Sequence, residues 1–549
     1  MVHLHCLSKR SVAAAALMLL LCGGVNLLYA QEDFKGEGVL ARPKEKKHPA
    51  ATPAKTAAAT VPRPKTHAGP KKQEIASNKM GVKRSRRVAR ATSDRPTTQP
   101  QPTDNRPVQP VRSAADEADA FNSRGDAFYD AGQYERAVEA YREAVRLDAS
   151  YAEAYNSLGD AYLSLNRNDE AIEAYRQAVR LDPQWAEPRN SLGDAYLNTG
   201  RTTEAIDSYK QATRLDPNMA PAYSSLGLIY YRMGQQSEAI EALRQAVRLD
   251  STDTEAKNYL SLAYYDLGAA HYNAGRYDEA IEAYKQAVAL KSDYADAYNN
   301  LGDAYRRKGQ TAQAEEAYRQ AVRVRPDNAE AQSSLGLMYS EQGKYAEAAE
   351  AYRQAVRLKA DDADAYNNLS YALGKLRRWN ESMEASRQAI RLNPNDAAAY
   401  SNLGWAYNNT GRFAEAVEQL KQSIRLKPDL AVAHFNIGIS YTRLGQHREA
   451  TASFTESIRL QPERPEAHNN LGYSYGSQGR WQEAIESHKQ AIRLKANYAG
   501  AYFNLGFAYL QIGDKTNALE QYKVLQTMNP ELAKKLYALI NQRSPRPVA

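Results

Sequence analysis

Small and apolar residues recur along most of this chain at intervals of three and four residues, the spacing that places side chains on one face of an α-helix. The pattern is itself repeated, and each repeat contains a variant of Asn-Leu-Gly-x-Ala-Tyr, as in residues 300–305. The Gly or Ser of this motif stands at positions 125, 159, 193, 227, 268, 302, 336, 370, 404, 438, 472 and 506, so every spacing is 34 residues except one of 41. A fixed period of this length indicates a repeat protein of twelve units.

Each unit predicts two amphipathic helices when the Gly or Ser of the motif is numbered position 8. Positions 4, 8 and 11 then share one face of the first helix, and positions 20, 24 and 27 share one face of the second. Gly at position 15, such as Gly309, predicts the end of the first helix, and Pro at position 32, such as Pro326, predicts the turn into the next unit. No unit buries its apolar face alone, so we expect neighbouring units to stack on one another.

These units resemble the tetratricopeptide repeat family over residues 118–532, because small and aromatic residues recur at fixed places in every unit. The resemblance implies an all-α fold, in which twelve helix-turn-helix units stack into a right-handed superhelical solenoid with a concave groove for partners. The units are most similar to those of O-linked N-acetylglucosamine transferases, whose repeat region carries a ladder of asparagines. We expect no counterpart of the catalytic domain of those enzymes, because nothing of domain size follows residue 543 in this sequence.

The edges of the repeat region have patterns of their own. Ser113 with Asp116 three residues later predicts a capping box at the start of a solenoid that we place at 116–543. Residues 531–543 predict a capping helix over the last apolar face, followed by a tail at 544–549. Seven extra residues near 254–268 add nearly two helical turns and keep the apolar phase, so we expect a lengthened first helix. It would act as a kink or ledge, or be a neutral insertion.

The N-terminal region predicts a targeting segment and a linker. Residues 1–30 combine Lys9 and Arg10 with a mostly apolar stretch that ends at Ala30, the layout of a secretory signal peptide. Residues 11–30 are also long enough to span a membrane, so a cleaved signal and an uncleaved signal anchor are both retained. Either alternative predicts an exported protein, periplasmic or otherwise extracytoplasmic. Residues 31–115 are rich in proline and basic residues, which predicts a disordered linker.

The charge of the chain belongs mainly to that N-terminal region. Residues 1–30 carry +2 and residues 31–115 carry 19 basic against 7 acidic residues, which leaves 8 − 14 = −6 for the remainder. The alkaline pI therefore does not indicate a specific nucleic-acid partner. The only cysteines, Cys6 and Cys22, precede residue 31, which excludes thiol catalysis and cysteine-type zinc sites in the repeats. Because catalytic, phosphate-binding and dinucleotide-binding motifs are absent, we predict a non-enzymatic protein with no cofactor and no metal.

Asparagine recurs at position 6 of the units, on the helix face opposite the packing residues, where packing does not require it. These asparagines are Asn300, Asn368, Asn402, Asn436, Asn470 and Asn504. A carboxamide can accept from a backbone N–H and donate to a C=O, and packed helices lie about 8–10 Å apart. The ladder could therefore hold roughly every third residue of an extended peptide that advances about 3.3 Å per residue. The alternative is that these asparagines only support helix and loop geometry.

Position 9 lies on the same face and divides the predicted groove into two halves. The acidic residues at this position are Asp126, Asp160, Asp194 and Asp303. The later units carry an aromatic or aliphatic stripe there, formed by Tyr371, Trp405, Ile439, Tyr473 and Phe507. An exposed apolar stripe of this length indicates a partner site, unless turns of the superhelix cover it. The acidic half is suited to a basic segment such as the chain's own linker.

These features predict a scaffold or adaptor that binds extended peptide or protein segments in the groove through the asparagines and the apolar stripe. Two other functions remain open at this point. One is a carbohydrate-binding envelope module, in which Trp405 and Tyr473 stack on sugar rings. The other is a non-catalytic helper that positions an envelope enzyme.

Overall fold

The computed structural model describes residues 36–40, 47–48, 50 and 113–541. Regular secondary structure in these residues is α-helical throughout, and consecutive helices pack as antiparallel pairs. The prediction of an all-α solenoid of helix pairs is therefore confirmed. The predicted signal segment at 1–30, most of the predicted linker at 31–115 and the tail at 544–549 lie outside the described residues.

The chain divides into two compact units, which are described separately. The N-terminal unit comprises His48–Asp293, and the C-terminal unit comprises Tyr294–Ala549 together with Met1–Lys47. The N-terminal unit contains five helix pairs: α1 (Ala114–Asp130), α2 (Tyr134–Leu147), α3 (Ala152–Ser164), α4 (Asn168–Leu181), α5 (Glu187–Asn198), α6 (Thr202–Leu215), α7 (Ala220–Arg232), α8 (Gln236–Leu249), α9 (Thr254–Asn273) and α10 (Tyr277–Leu290).

The C-terminal unit contains seven helix pairs and one final helix. The first eight of its helices are α11 (Ala295–Arg307), α12 (Thr311–Val324), α13 (Ala329–Glu341), α14 (Tyr345–Leu358), α15 (Ala363–Lys375), α16 (Trp379–Leu392), α17 (Ala397–Asn409) and α18 (Phe413–Leu426). The remaining seven are α19 (Ala431–Arg443), α20 (His447–Leu460), α21 (Pro465–Ser477), α22 (Trp481–Leu494), α23 (Ala499–Gln511), α24 (Lys515–Met528) and α25 (Pro530–Asn541).

The glycine at position 8 and the large residue at position 24 explain how the two helices of a unit pack. In the sixth unit the ring of Tyr318 lies against Gly302, and a Cβ added to Gly302 would lie 2.6 Å from Cε1 of that ring. Tyr318 is fully buried by this contact. The first helix therefore needs a residue without a side chain at this place, because close packing leaves no room for even one carbon atom.

The turn between the helices of a unit uses a left-handed backbone conformation at position 15. Gly309 has a φ of +71°, and most other units carry glycine at the equivalent place. The second and eighth units instead carry Asn166 and Arg377, with φ of 59° and 58°. Left-handed φ is unfavourable for residues with a Cβ, so these two turns are less relaxed than the others.

The edges and the insertion take helical form. Ser113 and Asp116 form a reciprocal capping box at the start of α1. The seven extra residues lie within α9, a single helix of 20 residues where α11 has 13. At the other end, α25 buries Leu532, Leu536 and Ile540. Among the helices that the structure describes, none is long and apolar enough to cross a membrane.

Candidate functional site

Two asparagines of the C-terminal unit hold a short segment of the same chain, residues 36–40. The carboxamide of Asn402, on α17, accepts from the N–H of Val39 at 2.6 Å and donates to the C=O of Val39 at 2.8 Å. Asn436, on α19, makes the same pair of bonds to Glu37, at 3.0 Å and 2.7 Å. Each asparagine therefore satisfies both backbone groups of one residue, as a neighbouring β-strand would.

The spacing and direction of the segment follow from these four bonds. Asn402 and Asn436 belong to consecutive units but hold residues that are two apart, and the segment runs in the opposite direction to the repeats. The expected spacing of every third residue is therefore wrong for this pair. Two extended residues advance about 6–7 Å. The sequence analysis used the distance of about 8–10 Å between packed helix axes. The two contacts are made by the ends of the asparagine side chains, which lie closer together than the axes.

A second asparagine orients the carboxamide of Asn402. The remaining N–H of Asn402 Nδ2 donates to Oδ1 of Asn367, on α15, at 2.7 Å. Asn367 and Asn402 are both 0% exposed. The arrangement recurs where Asn504 donates to Asn469 at 3.1 Å. Asn367 stands at position 5, which sequence reasoning did not assign to the ladder, although asparagine recurs there at Asn122, Asn156, Asn190, Asn299, Asn367 and Asn469.

Aromatic side chains form the floor under the bound segment. A Cβ added to Gly38 would lie 2.6 Å from Trp405 Cζ3 and 2.8 Å from Tyr371 Cδ2, so the segment's backbone rests directly on both rings. On the α15 side, the indole also closely contacts Gly374. The edge-on ring of Trp379, with its centroid 5.2 Å away, further fixes its position. Trp405 is consequently buried, with 4% of its surface exposed.

An arginine that sequence reasoning missed binds the one acidic side chain of the segment. Nη2 of Arg464 donates to Oε2 of Glu37 at 2.8 Å. The side chain of Arg464 is only 8% exposed, while that of Glu37 is 51% exposed. The guanidinium lies over the ring of Phe435, 4.8 Å from its centroid, which holds it in place. This places a fixed positive charge at one end of the held segment.

The other predicted groove residues of the C-terminal unit have varied surroundings. Asn300, Asn368 and Asn470 are buried like the two gripping asparagines, and Asn504 is partly buried. Ile439 lies in an apolar core cluster with Phe435 and Phe454. The rings of Tyr473 and Phe507 meet His447 and Trp481 edge-on, at centroid distances of 6.3 Å and 6.1 Å. Of the predicted residues, Asn402, Asn436, Trp405 and Tyr371 are brought together on residues 36–40.

The four predicted groove aspartates each accept a hydrogen bond from the position-24 tyrosine of their own unit. The donors to Asp126, Asp160, Asp194 and Asp303 are Tyr141, Tyr175, Tyr209 and Tyr318, at 2.6–2.8 Å. Burial raises the pKa of Asp160 to about 7 and that of Asp194 to about 6. These two carboxyl groups therefore carry less negative charge near neutral pH than ordinary aspartates, whose pKa is 3.8. A basic segment as the ligand of the acidic half stays a prediction.

The N-terminal unit holds a second short piece of chain at His48. The carboxamide of Asn273, at the end of α9, bonds to both backbone groups of His48, at 2.8 Å and 2.9 Å. The imidazole stacks on Tyr272 with ring centroids 3.6 Å apart, and its Nδ1 lies 2.8 Å from the Tyr284 hydroxyl. His48 is only 4% exposed. The same two-bond grip thus operates here from position 13 of a unit.

Metal chemistry finds no site in the described part of the chain. Within residues 36–40, 47–48, 50 and 113–541, no group of three or more His, Cys, Asp or Glu side chains could hold an ion. His488, at position 24 of the eleventh unit, packs against Gly472 and lies 2.9 Å from Asn469 Oδ1. Burial lowers its pKa to about 3, so the imidazole is neutral and acts as a core side chain.

Several solved structures are similar to this chain. The APC/C hetero-tetramer Cut9-Hcn1 is 14% identical, with 77% of this chain and 96% of that chain covered and a TM-score of 0.40. YrrB, described as a TPR protein with an unusual peptide-binding site, is 24% identical, with 34% and 96% covered and a TM-score of 0.30. The MamA protein is 29% identical, with 31% and 94% covered and a TM-score of 0.29. No curated protein sequence matches the chain.

Family models match most of the repeat region. The model of the cilia and flagella-associated protein 70 C-terminal domain, a TPR model, matches residues 92–265 and 251–435. Tetratricopeptide repeat models match residues 431–464, 475–513 and 499–532. The similarity to O-linked N-acetylglucosamine transferases stays a prediction. With the paired helices and the glycine-to-tyrosine packing, these matches show that the chain belongs to the tetratricopeptide repeat family.

Proposed function

We propose that this chain is an exported, non-enzymatic scaffold that binds extended polypeptide segments in a groove of its C-terminal unit. Tetratricopeptide repeat proteins are generally non-catalytic scaffolds for protein–protein interaction, and the finer proposal concerns how this one binds. The observation that carries it is the pair of two-bond grips that Asn402 and Asn436 make on Val39 and Glu37. On the segment these bonds involve only backbone atoms, so an extended segment of another protein can make them equally well.

The magnitudes indicate what the asparagines contribute and what they leave to other groups. Four hydrogen bonds at about 0.5–1.5 kcal/mol each contribute about 2–6 kcal/mol. A complex with a Kd of 1 μM requires about 8 kcal/mol. The remainder must come from burial against Trp405 and Tyr371, whose rings the segment's backbone already touches. A peptide ligand therefore needs both the asparagines and the aromatic floor.

The same geometry favours a peptide over a sugar. Among the residues that the structure describes, the ligand that lies on the indole of Trp405 is a peptide backbone, that of Gly38. The two-bond grip also matches the paired N–H and C=O of one amino-acid residue. The envelope-enzyme helper uses the same binding mode and differs only in its partner. Co-purification of a stoichiometric enzyme with the full-length chain would favour that alternative.

Export is proposed from residues 1–30 alone. Cell fractionation of the full-length chain tests the compartment, and mass spectrometry of its N-terminus tests cleavage. A mature protein that begins at Gln31 indicates a removed signal peptide, and a membrane-bound chain that retains residues 1–30 indicates an anchor. Recovery only in the cytoplasmic fraction contradicts export.

A peptide-binding experiment tests the proposed function. The full chain carrying Gly38→Val, which we expect to expel its own segment from the aromatic floor, is titrated with a fluorescent peptide of the sequence of residues 33–42. Fluorescence anisotropy gives the affinity. Adding Asn402→Ala and Asn436→Ala should weaken binding about tenfold or more, since two bonds are lost at each site. The matched control is the pair Ser123→Ala and Ser157→Ala, which changes position 6 of the first and second repeats.

Chemical changes in the peptide itself test the backbone grip. N-methylation at the residue equivalent to Glu37 or Val39 removes the N–H that donates to Asn436 or Asn402. We expect weaker binding in both cases. N-methylation at the residue equivalent to Leu40 serves as the comparison. Binding that tolerates all three methyl groups, together with the loss of both asparagines, contradicts the proposed function.

A further inference from the structure

We infer that the groove of the C-terminal unit selects a glycine–acid–glycine segment, and that Gly36-Glu37-Gly38 is the chain's own copy of this recognition sequence. The inference rests on the proposed function and deepens it, because the asparagines grip backbone and cannot distinguish one peptide sequence from another. Selectivity must come from the contacts of residues 36–38 with the floor and end of the groove. The surroundings of each of the three residues restrict which amino acid can stand there.

Gly38 stands where the groove has no room for a side chain. A Cβ at this position would lie 2.6 Å and 2.7 Å from two atoms of the Trp405 indole and 2.8 Å from the Tyr371 ring. Distances this short require something to move. The indole cannot move away easily, because Gly374 contacts it at the α15 side and Trp379 meets it edge-on. The position therefore strongly disfavours every residue except glycine while the Asn402 grip is kept.

Gly36 is required for two reasons. Its φ of +61° lies in the left-handed region that other residues rarely adopt. In addition, a Cβ there would lie 2.6 Å from Oδ1 of Asn436, the atom that accepts from the Glu37 N–H. A side chain at this position would thus disturb the grip itself.

Glu37 is selected by the charge of Arg464. The arginine is buried against Phe435 and directs Nη2 to the Glu37 carboxylate at 2.8 Å. Among the residues that the structure describes, its other terminal nitrogen, Nη1, has no hydrogen-bond partner, although it is buried. A buried guanidinium with a free donor favours an acidic ligand, because a carboxylate can accept from both nitrogens at once. A neutral or basic side chain would leave the buried charge unpaired.

Arg464 is also an exception within the repeat. It stands eight residues before the position-8 residue of the eleventh unit, and the equivalent places in the other units carry no basic residue: Glu117, Tyr151, Trp185, Met219, Leu260, Tyr294, Asn328, Asp362, Asp396, Leu430 and Tyr498. The packing of a unit therefore does not call for arginine here. Its presence next to the two gripping asparagines points to the ligand as the reason.

The chain's own copy then acts as a tethered competitor. A partner with an extended glycine–acid–glycine segment must displace residues 36–40, because both bind the same asparagines and the same rings. A covalently attached ligand has a high effective concentration, so a free partner of equal intrinsic affinity binds more weakly to the intact chain. The partner class that follows is a protein with such a segment in an extended, accessible stretch.

The test compares peptides on two forms of the full chain. The wild-type chain and Gly38→Val are titrated with the peptide of residues 33–42 and with versions in which the residue equivalent to Gly38 is alanine or that equivalent to Glu37 is glutamine. We expect Gly38→Val to bind the unmodified peptide at least about tenfold more tightly than the wild-type chain. The control Gly69→Val changes a glycine elsewhere in the N-terminal region and should leave peptide binding as in the wild-type chain. Circular dichroism checks that each variant is folded.

The peptide variants carry the specificity part of the test. Alanine in place of the glycine should weaken binding about tenfold or more, the usual cost of forcing a carbon atom into a filled space. Glutamine in place of the glutamate should cost about three- to tenfold, because half of that side chain remains exposed and solvent screens the pair. The glutamine penalty should disappear in Arg464→Met but persist in the control Arg493→Met, which alters an exposed arginine of α22.

The outcomes separate this inference from the proposed function. A peptide that depends on Asn402 and Asn436 but tolerates alanine and glutamine leaves the scaffold function standing and overturns the specificity. If no peptide binds, both the proposed function and the inferred specificity are refuted. A wild-type chain that dimerises, and that Gly38→Val converts to a monomer, overturns the intramolecular competition because the segment would then occupy the groove of a second copy.

Discussion

Asp160 allows a quantitative test of how much charge the acidic half of the predicted groove carries. Burial is the largest cause of its raised pKa, the neighbouring Glu187 and Asp194 raise it further, and the hydrogen bond from Tyr175 lowers it. The resulting pKa is about 7, against 3.8 for an unperturbed aspartate. Replacing Asp160 by asparagine removes the charge and keeps an oxygen that can accept from the Tyr175 hydroxyl.

The sign and size of the effect follow from linkage. Because the folded pKa lies above the unfolded one, the native state holds its proton longer, and stability falls as the pH rises from about 4 to about 7. A difference of about three pKa units corresponds to about 4 kcal/mol when both states are ionised. The new amide also needs an acceptor, which a flipped Asn156 can offer through its buried Oδ1; this atom has no partner among the described residues. We expect Asp160→Asn to stabilise the chain by about 2–4 kcal/mol at pH 8 and by nothing at pH 3.5.

Urea unfolding followed by circular dichroism at pH 3.5, 5, 6.5 and 8 measures this effect. Because repeat arrays can unfold in parts, hydrogen exchange of the amides in α3 and α4 provides a local measurement beside the global one. Asp207→Asn, which alters an exposed aspartate of α6, is the matched control and should show no gain that grows with pH. A gain for Asp160→Asn that is equal at all four pH values, or a loss at pH 8, would refute the reasoning.

Three further predictions concern other parts of the two units. Arg377→Gly should stabilise the chain by about 0.5–1 kcal/mol, because Arg377 has a left-handed φ of 58° that glycine adopts without strain. Urea unfolding measures this change, and an unchanged midpoint urea concentration contradicts it. His488→Phe should reduce the loss of stability between pH 6.5 and pH 4, since burial lowers the pKa of His488 to about 3 and the unfolded state takes up the proton first. Thermal melts in which the variant and the wild-type chain lose equal stability over this pH range would count against it. Asn367→Ala should weaken binding of the residue 33–42 peptide about three- to tenfold, because Asn402 loses the acceptor that orients its carboxamide. Ser333→Ala, a change at the same position of the preceding repeat, should have no such effect.

The repeated parts of the structure could be predicted from the sequence because they obey one period. Gly302 and Tyr318 recur in register, and their contact explains both residue types at once. The place of asparagine at position 6 followed from the same helical geometry, and Asn402 and Asn436 do meet an extended segment. Periodicity thus identified the fold and the face that holds the segment.

Other features of the site depend on side-chain ends, which periodicity does not describe. The spacing of two residues between grips was missed because the estimate used helix axes. Asn367 was missed because the ladder was assigned to position 6 alone, although the asparagines that recur at position 5 were a visible signal. Ile439 was placed on the groove by its position number, but the cluster of Phe435 and Phe454 gives it a core environment. The chain's own linker was considered as a ligand of the acidic half, but no pattern in the sequence singled out residues 36–40 or assigned them to Asn402 and Asn436.

Selectivity in such a repeat protein has to come from residues that break the repeat. A ladder that is the same in every unit grips every extended backbone equally, and therefore cannot choose among ligands. Arg464 occurs at its place in one unit out of twelve. Trp405 closes the floor so tightly that only glycine fits above it. We propose that in this chain the recurring asparagines determine the mode of binding, and that Arg464 and Trp405 determine which segment is held.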